Sequence, residues 1–134
     1  MSDSIHFELV SPERLLMDIA ATSVVVPGSE GDFTVLPGHA PVMSTIRPGV
    51  IEVMETGSGE PSRLFVRGGF AEVTSEGLVI LAEEVIVLAD VSREELQQKV
   101  ADAREDVEDA KTDEEKHLAI EALARLTELA EAKS

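Results

Sequence analysis

VIVLADVSREELQQKV, residues 85–100, is the stretch in which the chain changes period. Val85–Leu88 is a short apolar run rich in β-branched residues, the composition of a strand. Just beyond it, Ser92-Arg93-Glu94-Glu95 places a hydroxyl at a helix start and a carboxylate three residues on. In that arrangement each side chain accepts the other residue's backbone N–H, so a helix is predicted to begin here. From Leu96 the apolar residues return at helical spacing. The boundary between a β part and an α part therefore falls at Ala89–Ser92, giving one domain over residues 1–90 and a second over 91–134.

Upstream of the boundary the pattern is that of strands. Ile5–Val10 alternates, with Ile5, Phe7 and Leu9 on one face. Ser23–Val26 runs to a Pro27-Gly28 break, and Thr34–Leu36 to Pro37-Gly38. Val50–Met54, Arg63–Val66, Phe70–Val73, Leu78–Leu81 and Val85–Leu88 complete the set, with Gly57-Ser58-Gly59 as a hairpin tip and Gly68-Gly69 as a turn. Turn signals recur about every eight to twelve residues, the rhythm of a sandwich or barrel.

Downstream, Leu96, Val100, Ala103, Val107 and Ala110 form one narrow stripe, as in a helix–helix seam. Lys111 and Thr112 interrupt it, and Thr112-Asp113-Glu114-Glu115 is a second capping signal. Leu118, Ala119, Ala122, Leu123, Leu126, Leu129 and Ala130 then mark a second amphipathic helix. The linker is short, so the helices are predicted to fold back antiparallel, with Leu123 and Leu126 facing the first stripe. Helices this short are marginal alone and need a further surface. The fold class is α+β: a β-sandwich followed by a two-helix hairpin.

Composition narrows the function. Lys and Arg number 11 against 27 Asp and Glu, a formal net charge of −16. Residues 1–90 hold 14 acids and 4 bases, and residues 91–134 hold 13 and 7. A field of that sign repels phosphate backbones, so nucleic acid is not an expected partner. There is no cysteine, which removes disulfides and thiolate metal sites. No apolar run approaches the roughly 18 residues of a membrane span. The start, MSDSIHFELV, has neither the basic and apolar regions of a signal peptide nor the arginines of a transit peptide.

Motifs for catalysis are missing too. Gly28-Ser29-Glu30-Gly31-Asp32 is glycine-rich, but no Gly-Lys-Ser/Thr follows, and a strand pattern rather than a helix comes next. His6, His39 and His117 are far apart and match no zinc spacing. The acidic stretch Asp102–Asp113 lacks the glycine and oxygen pattern of a calcium loop and reads as a solvated helix face. No catalytic site, metal or cofactor is expected. A binding or structural role remains, with a free-standing sandwich-type ligand-binding module or small enzyme as its rival.

The loops name a family. FELVSPERLL (residues 7–16), VVVPGSEGDFTVLPGHAPVMSTIRPGV (24–50), FVRGGFAEV (65–73) and VTSEGLVILAEE (73–84) together resemble the epsilon subunit of bacterial F-type ATP synthases, the counterpart of the mitochondrial delta subunit. The resemblance runs over essentially the whole chain, and residues 27–50 are its most specific part. It implies a ten-stranded sandwich and a two-helix C-terminal domain. It also implies a non-catalytic rotor subunit that couples gamma to the c-ring in proton-driven ATP synthesis. Such a chain is expected peripherally on the cytoplasmic side of a bacterial inner membrane.

By the same resemblance the c-ring contact maps onto Ser29, Glu30, Asp32 and His39, and the gamma contact onto Ser11, Val42, Met43 and Ser44. The C-terminal helices imply a regulatory element that can reach the alpha and beta subunits. Some members bind ATP through Ile/Leu-Asp-x-x-Arg-Ala; here the matching residues are Leu96-Gln97-Gln98-Lys99-Val100-Ala101. Gln97 replaces the acid and Val100 the arginine, so nucleotide sensing is not expected. An acidic hairpin is also expected to be a weak inhibitor.

Overall fold

A computed structural model describes residues 4–133. Residues 1–3, part of the leader test above, and residue 134, the end of the helical segment, lie outside the described residues. The described chain forms nine strands and two helices. The strands are β1 (Ile5–Val10), β2 (Leu15–Gly28), β3 (Gly31–Val35), β4 (Val42–Ile46), β5 (Gly49–Glu55), β6 (Ser62–Val66), β7 (Gly69–Thr74), β8 (Gly77–Ala82) and β9 (Val85–Val87); the helices are α1 (Arg93–Asp109) and α2 (Asp113–Ala132). The chain divides into two compact units that part between Ala89 and Asp90.

The first unit is a sandwich organised by β2. Over its first half β2 pairs antiparallel with β1, from Val10↔Leu15 to Ile5↔Ala21. Over its second half it pairs with β5 on one side, Val24↔Val53, and β3 on the other, Val24↔Val35. The register shifts between Ala21 and Ser23, and a bulge there lets one strand turn from the first sheet into the second. One sheet is then β2-β1-β8-β7-β4, with β1 and β8 parallel; the other is β3-β2-β5-β6-β9. β4 touches the far end of β2 at Gly28↔Ile46.

Alternation puts Phe7, Leu9, Val24, Val26, Ile51, Val53, Leu64, Leu78 and Ile80 between the sheets, all essentially solvent-free. No polar or charged residue is buried among the described residues, so burial of apolar area is what holds the sandwich.

The strand count corrects the expected ten. β2 is one element of 14 residues, and only by dividing it at the bulge would ten arms be obtained. Its first half escaped the sequence reading because Leu15-Leu16-Met17 does not alternate. β4 also escaped: five residues between Pro41 and Pro48, whose Met43, Ser44 and Thr45 carry no apolar alternation.

The second unit is a helical hairpin in which α1 packs on α2. Ser92 caps α1 as expected: its hydroxyl accepts Glu95 N–H at 3.1 Å and the Glu95 carboxylate accepts Ser92 N–H at 3.2 Å. At α2 the pattern shifts by one residue. The Thr112 hydroxyl accepts Glu115 N–H at 3.0 Å, but the Glu115 carboxylate reaches back to Lys111 N–H. Neither helix has a basic residue in its last turn, but Lys133 stands at the C-cap of α2 and Lys111 just beyond that of α1.

Gly69 shows how tightly the strands approach. Its φ is +148°, and a Cβ there would lie 2.0 Å from the Leu81 carbonyl oxygen across the β7–β8 ladder. Gly59, in the β5–β6 loop, has open space instead. Gly69→Ala is expected to lower stability by roughly 2 kcal/mol or more and Gly59→Ala by less than about 0.5 kcal/mol, read by thermal or urea unfolding.

Candidate interaction surfaces

The Ser29–Asp32 turn joins β2 to β3, and all four of its residues are exposed. It is braced from β4. Ser29 N–H donates to the Thr45 carbonyl at 3.0 Å, and the Thr45 hydroxyl donates to the Ser29 hydroxyl oxygen at 2.7 Å. Arg47 N–H donates to the Pro27 carbonyl, while its guanidinium pairs with the Asp32 carboxylate. His39 is held differently. Its N–H donates to the Leu36 carbonyl at 3.0 Å, and its Nδ1 lies 2.7 Å from the Ala40 carbonyl, the distance of an Nδ1–H donor. The two turns do not meet: they sit at opposite ends of β3, a five-residue strand that spans roughly 15 Å. What they share is an edge, since among the described residues β3 pairs only with β2.

His39 lines a cleft of about 740 Å³ together with His6, Asp18 and Glu76. His6 Nε2 lies 2.5 Å from an Asp18 oxygen, and its other ring nitrogen is 3.8 Å from Glu8. The hydrogen bond to Asp18 raises the His6 pKa above its ordinary value; desolvation opposes the rise, and the charges of Asp18, Glu8 and Glu76 add to it.

On the other side, Met43 stands out from β4 and is 61% exposed. Val42 and Ser44 pair with the buried Val73 and Ala71; Ser44 is half-buried, while Val42, at the start of the strand, remains 38% exposed. Ser11 closes the β1–β2 turn: its N–H donates to the Arg14 carbonyl at 2.9 Å and its hydroxyl oxygen accepts Arg14 N–H at 3.3 Å.

The register reveals a surface that the sequence reading missed. Leu15 pairs with Val10, Val10 with Leu81, and Leu81 with Phe70, so four apolar side chains cross the outer face of the first sheet in one row. Leu15 is 50%, Leu81 53% and Phe70 38% exposed. Ser11 and Pro12 border a groove of about 420 Å³ against Phe70 and Leu81. The adjoining row reads Asp18, Glu8, Val79, Glu72 and Met43, acidic except for Val79 and Met43. Each apolar residue of the first row occupies an outward position in its own strand, but only the register shows that they line up.

On the helices Leu96, Val100, Ala103 and Leu126 are buried, and Val107 and Leu123 half-buried. The buried line of α2 is Ala119, Ala122, Leu126 and Ala130, mostly alanine, which lets the helices approach closely. Gln97 is exposed, while Val100, at the arginine position of the nucleotide motif, is turned inward.

The described chain thus carries an outward apolar row with an acidic border on its sandwich, followed in sequence by a capped helical hairpin. Residues 4–88 match the family described as ATP synthase, Delta/Epsilon chain, beta-sandwich domain. The ATP synthase epsilon chain of Maricaulis maris is 54% identical over 125 residues, covering 93% of this chain and 92% of that one. That of Parvibaculum lavamentivorans is 52% identical over 129 residues, covering 96% and 97%. The chain belongs to the ATP synthase epsilon chain family. Its fold recurs in a chain of the Euglena gracilis mitochondrial ATP synthase, with a TM-score of 0.74 at 23% identity over 98% of this chain and 82% of that chain. It recurs also in the Tetrahymena thermophila mitochondrial ATP synthase central stalk and c-ring structure, with a TM-score of 0.69 at 14% identity over 94% and 96%.

A raised His6 pKa means that the folded state holds this proton more tightly than the unfolded chain does. The resulting stability is complete below about pH 6.5 and is lost as pH rises through the folded-state pKa. Titration followed by NMR is expected to give His6 a pKa above 6.5, and Asp18→Asn to bring it back toward that value; an unchanged His6 in the variant would exclude the hydrogen bond as the cause.

Proposed function

We propose that this chain is a non-catalytic rotor subunit of an ATP synthase, seated on gamma by the outer face of its first sheet and touching the c-ring by the β3 edge. The apolar row Leu15–Val10–Leu81–Phe70 carries this reading. A row of that kind, flanked by carboxylates, suits a protein partner with an apolar centre and a basic border. Ser11 and Met43 border it from two sides. Membership of the epsilon chain family supports the assignment, as does the presence of this fold in solved assemblies that contain a central stalk and c-ring. On this reading residues 1–90 are the binding domain and 91–134 the regulatory one.

The c-ring contact uses Ser29, Glu30 and Asp32 at one end of β3 and His39 at the other. Two turns so far apart can both touch a broad ring only if the whole edge faces it. Attachment to the membrane is peripheral and made through partners, on the cytoplasmic side of a bacterial inner membrane. In support, no described helix is long and apolar enough to cross a bilayer. Phe70→Glu is expected to weaken gamma binding at least tenfold by isothermal calorimetry while leaving the melting temperature within a few degrees, because Phe70 points outward; unchanged affinity would remove the sandwich face from the interface.

The hairpin is a weak brake and does not sense ATP. Exposed Gln97 and inward Val100 offer a phosphate no cation. Residues 113–134 carry Asp113, Glu114, Glu115, Glu121, Glu128 and Glu131 against Lys116, Arg125 and Lys133, which disfavours insertion beside other acidic subunits. Opening would also expose Ala103 and Leu126 unless a partner covers them. Deleting residues 91–134 in the whole enzyme is expected to raise ATP hydrolysis by well under tenfold; a rise of about tenfold or more would mark the hairpin as a strong inhibitor.

A further inference from the structure

We infer that His6 is a proton-controlled mask on the acidic border of the first sheet's outer face, so that a partner with basic side chains at that border docks more tightly once His6 is neutral. The inference rests on the proposal that this face is a docking surface, and adds how the docking is regulated.

The register places His6 in the row beside the acidic one. It stands opposite Ala20 of β2 and Gly77 of β8, one step along the sheet from Asp18 and Glu8. Neither neighbour is large enough to cover the ring, and the His6 side chain is 51% exposed. A diagonal neighbour, two residues along the paired strand, is within reach of a long side chain. His6 Nε2 meets Asp18 in that way, at 2.5 Å. An ionised carboxylate only accepts, so Nε2 carries the hydrogen. The nitrogen left to titrate is Nδ1, and it lies 3.8 Å from Glu8.

The charged and titratable groups that face the ring are Asp18 from β2, Glu8 from β1 itself and Glu76 from the turn between β7 and β8, with His39 of the β3–β4 loop lining the same cleft. β8, the other neighbour of β1, brings only uncharged residues opposite it. Along the paired outward rows of β2, β1, β8, β7 and β4, His6 is, among the described residues, the one side chain that can become positive.

One proton therefore resets this end of the border. With Nδ1 bare, Asp18 and Glu8 present two negative charges; with Nδ1 protonated, the imidazolium cancels one of them. An ammonium or guanidinium arriving here then meets a like charge already engaged with the same carboxylates. The coupling is reciprocal: a partner cation drives the proton off, and the proton drives the partner off. The hydrogen bond to Asp18 holds the proton above the ordinary histidine range, so the exchange falls above about pH 6.5.

The test is calorimetric titration of the full chain and its variants with purified gamma at about pH 6, 7 and 8.5, in two buffers of different ionisation enthalpy. The parent chain is expected to bind about two- to fivefold more tightly at the highest pH than at the lowest, and to release more protons at the middle pH than His6→Gln does. His6→Gln is expected to lose that share of the pH dependence; because the comparison is between variants, groups that titrate on gamma cancel. His6→Lys, charged throughout, is expected to bind at the highest pH as weakly as the parent does at the lowest. Melting temperatures near that of the parent will show that these exposed substitutions leave the fold intact. The inference is overturned if His6→Gln keeps the pH dependence of the parent, if the two release equal numbers of protons, or if His6→Lys binds as tightly as the parent at the highest pH. Unweakened binding by Phe70→Glu would instead overturn the docking surface itself, so the two failures are told apart.

Discussion

Everything in the sandwich depends on one strand belonging to two sheets. β2 is bonded to β1 before the bulge at Ala21–Ser23 and to β3 and β5 after it. That continuity, with the Gly28↔Ile46 pair at the far end of β2, joins the sheets and lets Val24 and Val26 enter the core with Phe7 and Leu9. It also sets the positions of the candidate contacts. The Ser11–Arg14 turn leads into β2 and the Ser29–Asp32 turn leads out of it. On the proposed reading, the turns at the two ends of this strand face different partners and are tied by a continuous hydrogen-bonded element.

Charge and core are kept apart. With no buried polar residue among those described, the interior gives stability but little recognition. What the outside offers is an apolar row with an acidic border on one sheet and a turn braced by hydrogen bonds at the edge. The helices follow the same division. An alanine line faces inward on α2, while the acids that dominate the net charge remain in water.

Much of this was legible before any coordinates. The period change at Ser92 and the alternation of Ile5, Phe7 and Leu9 declared the α+β plan, because capping and strand burial are local and leave a direct mark. Leu15–Thr22 and Val42–Ile46 were not legible as strands. Their partners lie far along the chain, and each has one face toward solvent without a regular polar signature. The row Leu15–Val10–Leu81–Phe70 was invisible for a related reason: register is a property of pairs of strands, and no single segment encodes it. The pairing of Asp32 with Arg47, 15 residues away, likewise depends on β4 lying beside the turn. Ser29, Glu30, Asp32 and His39 came from family resemblance as two turns; that the turns stand at opposite ends of one five-residue strand is what the register adds.

If β2 makes the sandwich a rigid carrier of both surfaces, the helices are dispensable for docking. Residues 1–90, produced alone, are to be melted and titrated against purified gamma. The expected result is one cooperative transition and an affinity within about threefold of that of the full chain. A two-step melt, or loss of gamma binding, would contradict the claim that the sandwich alone carries the contact.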